Sequence, residues 1–92
     1  MSVVIVGGNE CMTRQYKNLC RNYKCKAKVY SKMESGLKNI GTPDLIVLFT
    51  NTVSHKMVHC ALSQAKEENT KIARSHSSSM AALKDILEKH IG

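Results

Sequence analysis

Two runs of this chain are apolar at every position: residues 3–6, "VVIV", and Leu45–Phe49, "LIVLF". A strand with one face in water alternates polar and apolar residues. A run with no polar position suits a strand buried on both faces. Such strands belong in the middle of a parallel sheet with helices packed on both sides. Each run is stopped by polar or glycine punctuation: Gly7-Gly8 after the first, Thr50-Asn51-Thr52 after the second.

The remaining segments fit around these two strands. Asn9 is an N-cap for a helix over 10–24, with Met12, Tyr16, Leu19, Cys20 and Tyr23 recurring at helical spacing. Residues 25–30, "CKAKVY", alternate apolar residues with lysine, as an edge strand does to discourage sheet-to-sheet pairing. "MESGLKNIG" (33–41) reads as a short helix ending near Gly41, and Thr42-Pro43 punctuate. Ser54 caps a helix with Val58, Ala61, Leu62 and Ala65 inward. Residues 70–73 make a short strand. A last helix runs to about His90, with Met80, Leu83, Ile86, Leu87 and Ile91 as its apolar stripe.

The expected pattern is therefore βαβαβαβα: one α/β domain over residues 1–92, with a four-stranded parallel sheet between helical layers. Right-handed crossovers and the two central runs give the strand order 2-1-3-4, a three-layer Rossmann-like or flavodoxin-like arrangement.

Composition adds limits. There is no Trp and one Phe, so the core is aliphatic. Fourteen Lys and Arg against seven Asp and Glu give a charge of +7, which favours anionic partners. No apolar run approaches a membrane span, and Met1 leads into "SVVIVGG" without a basic signal-peptide region. The expected setting is cytoplasmic, with the four cysteines reduced. A chain of this length buries roughly two thirds of its unfolded surface, so self-association is expected, as a dimer or small even-numbered homo-oligomer. Met33, Met57 and Met80 are either partly exposed contacts for it or core filler.

In an open parallel sheet, ligands bind beyond the carboxyl ends of the strands, where the strand order reverses. Three polar segments follow strand ends here: "GGNEC" (7–11), "TNTVSH" (50–55) and "RSHSSS" (74–79). Each leads into a helix N-terminus, where unpaired N–H groups favour an anion. The expected site has Gly7, Gly8 and Asn9 as a close backbone wall. Thr50, Asn51, Ser54 and His55 are its floor, and Arg74, Ser75, His76, Ser77, Ser78 and Ser79 its anion clamp. Helix capping accounts for one or two serines, fewer than the segment holds. Neither GxGxxG nor GxxxxGK[ST] occurs.

Histidine and cysteine offer other chemistry. His55 and His59 lie four apart on one helix, and His76 follows the neighbouring strand. A metal ion or haem held by His55 and His76 is the second reading. Cys11 falls in the first helical turn, where a thiol is either activated or simply packed under the glycines. Cys20 and Cys25 read as structural. Asp44 begins its strand, at the wrong end for catalysis, and no Ser-His-Asp arrangement has a credible acid. No spacing demands an enzyme.

The chain resembles a small bacterial family, the domain-of-unknown-function family 2325. The likeness is carried by "VVIVGG", Tyr16, "DLIVLFTNTVSH" and "RSHSSS", and covers nearly the whole chain. It implies a Rossmann-like or flavodoxin-like layer and brings no activity with it. A phosphotransfer domain of the sugar-transport type is also small and α/β, but there the cysteine follows strand 1 directly, whereas Cys11 lies four residues past Gly7. The residues thus favour a binding module for a phosphate-bearing ligand, such as a nucleotide or related metabolite. The third reading is nucleic acid held by the basic surface around Tyr23, Lys24, Lys26, Lys28 and Tyr30.

Overall fold

Alternation along the strands divides the core in two. The computed structural model describes residues 1–31, 43–64 and 70–90. The strands are β1 (Ser2–Val6), β2 (Lys26–Tyr30), β3 (Leu45–Phe49) and β4 (Lys71–Ser75), all parallel, in the order β2-β1-β3-β4. The α-helices among the described residues are α1 (Thr13–Asn22), α2 (His55–Gln64) and α3 (Met80–His90). The expected strand order and α/β class are those observed. The helix expected over 33–41, Met33, Ala65 and Ile91 lie outside the described residues.

Val3 pairs with Leu45 and Ile5 with Val47, while Ile46 pairs with Ile72 and Leu48 with Arg74. Residues in register point the same way, and neighbours along a strand point opposite ways. Val3, Ile5, Leu45, Val47, Phe49 and Ala73 therefore share one face, packed on Tyr16 and Cys20 of α1 and Leu83 and Leu87 of α3. Val4, Val6, Ile46 and Leu48 take the other, against Met57 and Ala61 of α2. Every residue of β3 is buried, as an unbroken apolar run requires. Each such side chain contributes roughly 1.5–3 kcal/mol relative to exposure. Met57 is 4% exposed, which makes it core filler and not a surface contact. No helix among the described residues is long and apolar enough to cross a membrane.

Boundaries move where local chemistry intervenes. The helix expected over 10–24 begins as a 3-10 turn at Glu10–Met12, with the Asn9 side chain accepting from the Cys11 N–H at 3.0 Å. Strand β4 runs on to Ser75, beyond the expected 70–73, because the Thr50 N–H donates to the Ser75 carbonyl at 2.8 Å. Helix α1 ends in a Schellman turn. The Cys25 N–H reaches the Cys20 carbonyl and the Lys24 N–H that of Arg21, both at 2.9 Å. Lys24 takes the left-handed position at φ 60°, where glycine is usual. That conformation costs an L-residue about 1–2 kcal/mol, and glycine gives back part of it as unfolded-state entropy. Lys24→Gly is expected to stabilise the protein by roughly 0.5–1 kcal/mol, read as a higher urea midpoint.

The same turn brings Cys25 to Cys20. Burial pushes the Cys20 thiol from 9.0 up to about 11, and the adjacent Cys25 adds to the shift. Because the folded value is the higher one, this stabilisation is complete below about pH 9. It is lost as pH rises through about 11, since the unfolded chain releases the proton first. Urea midpoints should fall across that window, and the fall should be shallower in Cys20→Ala.

Candidate functional site

The glycine turn after β1 is a packing device. Gly7 and Gly8 have φ of 96° and 88°, values that side-chain-bearing residues rarely adopt. A Cβ on Gly7 would sit 2.9 Å from Thr52 Oγ1 and closer still to Val53 Cγ1. One on Gly8 would lie 2.9 Å from the Tyr16 ring and 3.2 Å from Phe49 Cδ2. The room the glycines leave is thus taken by the chain itself. Their donors are spent inside the protein as well: Gly7 N–H to the Tyr30 carbonyl at 2.8 Å, and Gly8 N–H to Thr52 Oγ1 at 2.7 Å. The Asn9 N–H donates to the Tyr16 hydroxyl at 3.3 Å.

Tyr16 joins three loops. It is fully buried, with its ring 5.5 Å from that of Phe49 between centroids. Its hydroxyl accepts from Asn9 and donates to the Ser78 carbonyl at 2.5 Å. The sequence places Tyr16 only on an apolar helix stripe. The available signal is that a buried tyrosine hydroxyl needs a partner, and polar loops at strand ends supply one.

The serines form a ladder of local turns. Ser75 Oγ donates to the Ser77 carbonyl at 2.8 Å and accepts from the Ser77 N–H at 3.2 Å. Ser77 Oγ accepts from the Ser79 N–H at 3.3 Å and donates to Ser79 Oγ at 3.1 Å. Ser79 Oγ then accepts from the Ala82 N–H at 3.2 Å, capping α3. The four serines of this segment hence have a structural account: two turn-formers, a cap, and Ser78, whose carbonyl meets Tyr16.

On the other side of the sheet lies a cleft of about 260 Å³, lined by Leu48, Thr50, Val53, His55, Val58 and Arg74. Arg74 reaches it because its register partner is Leu48, on the α2 face. His55 is the first residue of α2, behind the Ser54 cap, whose Oγ accepts from the Met57 N–H at 3.3 Å. Thr50 Oγ1 lies 3.2 Å from the Ser75 carbonyl and 3.2 Å from His76 Nδ1. The threonine has one proton. With that proton given to Ser75, His76 Nδ1 is the donor to Thr50.

The thirteen expected residues thus separate into two groups. Thr50, His55 and Arg74 line the α2 cleft, with His76 attached through Thr50. Gly7, Gly8, Asn9, Ser75, Ser77, Ser78 and Ser79 build the packed loops around Tyr16 and α3, Ser54 caps α2, and Asn51 is exposed. Leu48, Val53 and Val58, the apolar wall, are the lining residues that the polar-segment reading missed. Among the described residues no group of three or more His, Cys, Asp or Glu side chains could hold a metal ion. His59 is exposed on α2.

Tyr16→Phe removes one hydroxyl and leaves the Ser78 carbonyl and Asn9 N–H without it. The expected cost is about 1–3 kcal/mol in urea unfolding, with faster amide exchange in residues 7–9 and 76–79.

No curated protein and no solved structure matches this chain. A family model described as "Uncharacterized protein conserved in bacteria (DUF2325)" matches residues 2–90. With almost every residue covered, the chain belongs to that bacterial family.

Proposed function

We propose that this protein is a binding module for a small phosphate-bearing molecule, seated in the α2 cleft. The observation that carries the reading is the meeting of Arg74, His55 and Thr50 at the amino end of α2. Among the described residues Arg74 makes no ion pair, and the His55 and Lys56 N–H groups donate to no partner. A guanidinium and two helix N-terminal donors are groups a phosphate needs. A volume of about 260 Å³ lies just under the range of pockets that bury a whole drug-sized ligand. The cleft therefore suits the phosphate end of a nucleotide-like molecule, with Leu48, Val53 and Val58 against its less polar part.

Amide-shift titrations with inorganic pyrophosphate and with a nucleoside monophosphate test this. Shifts should gather at Thr50, His55 and Arg74. Arg74→Ala should weaken binding roughly ten- to hundredfold, corresponding to about 1.5–3 kcal/mol for a charged hydrogen bond. Equal affinity in the two proteins, or shifts confined elsewhere, rejects the reading.

A further inference from the structure

A second cleft, on the opposite flank, has a different character. It measures about 390 Å³ and lies between α1 and the start of β2, lined by Lys17, Arg21, Lys24, Cys25, Lys26 and Ala27. Four of these six residues are cations, none is acidic, and all four cations are exposed. Among the described residues none of the four makes an ion pair. Glu88 of α3 accepts from the Tyr23 hydroxyl at 3.0 Å instead.

We propose that this cleft holds the sugar–phosphate backbone of single-stranded nucleic acid. Ordinary structural reasons cover part of the cluster. A cation near a helix C-terminus complements the dipole, which suits Arg21, and lysine on an edge strand discourages pairing, which suits Lys26. They do not cover Lys24, which stands in left-handed backbone where glycine would be unstrained. Lys17 lies in the middle of α1, away from the C-terminal dipole. Lys17 and Arg21, four apart, share one face of α1, Lys24 follows in the turn that ends the helix, and Lys26 opens β2.

The lining argues for a flexible strand. Cys25 and Ala27 are small, so a backbone can approach closely, and a single strand can bend into a concave groove. A duplex, stiff over about 150 base pairs, cannot follow it. No large apolar side chain lines the cleft, so a membrane surface has nothing there to bury. No aromatic residue lines the cleft, so it offers no stacking platform. Binding accordingly comes from phosphates alone, is indifferent to sequence and is weakened by salt.

The test is fluorescence anisotropy of a labelled oligothymidylate across a sodium chloride series. With four phosphate contacts, log K should fall against log salt with a slope of about −2.8, at about −0.7 per contact. Lys24→Gly should flatten the slope by about 0.7 while raising the urea midpoint, so weaker binding cannot come from unfolding. Lys17→Ala with Arg21→Ala should flatten it by about 1.4. Arg74→Ala, in the other cleft, should leave it unchanged, which separates this proposal from the phosphate site of α2. Absence of binding at low salt overturns it, as does a slope that these α1 variants do not alter. Tighter binding to a duplex or to phosphatidylserine vesicles than to the oligothymidylate also overturns it.

Discussion

The Tyr16 hydroxyl meets the Ser78 carbonyl at 2.5 Å across sixty-two residues of chain. Around that contact the ends of β1, β3 and β4 are held together. The same hydroxyl receives the Asn9 N–H, and the same ring lies on Phe49 and under Gly8. A side chain at Gly8 would meet the ring, so the glycine turn and the tyrosine specify one another. The α3 helix can only start where Ser78 is fixed, because Ser79 is its cap. A loop region that would otherwise be polar and loose is thereby tied to the core.

The sheet then sorts the functional chemistry by parity. Arg74 and Ser75 are neighbours in β4, yet they point to opposite faces. Arg74 follows Leu48 toward α2, and Ser75 follows Phe49 toward Tyr16 and α3. The segment "RSHSSS" therefore serves two purposes. Its arginine and, through Thr50, its histidine belong to the α2 cleft, while its serines build the turn that delivers α3. A one-residue slip of β4 would exchange the two and disable both.

Much of the architecture was legible because burial imposes a period. "VVIV" and "LIVLF" suit strands buried on both faces, and lysine alternation marks β2 as an edge, so the strand order followed. The start of α1 and the length of β4 were less legible, since both depend on single hydrogen bonds: Asn9 to Cys11, and Thr50 to Ser75. The site was half legible. Residue type identified the polar strand ends, but the sides of the sheet decide which of them meet, and that depends on register. Glycine and serine were the misleading types, because each is used equally for close packing, for turns and for ligands. Tyr16 was hidden for the opposite reason: on a helical stripe it reads as apolar.

Charge connects the two clefts to stability. Two of the described carboxylates are engaged by neutral donors: Asp44 by the Ser2 N–H and Glu88 by the Tyr23 hydroxyl. Among the described residues no lysine or arginine forms an ion pair with them. A chain of +7 whose described cations make no ion pair among the described residues carries self-repulsion in its compact state, concentrated where cations gather. An anion bound only by the folded form relieves it, and by linkage adds stability in proportion to the logarithm of its concentration over its Kd. Lys24 illustrates the balance within a single residue: its backbone strain and its charge both weigh against the free folded state, and a bound phosphate offsets the second. In this small core, an anion held by these side chains would couple its own binding to folding.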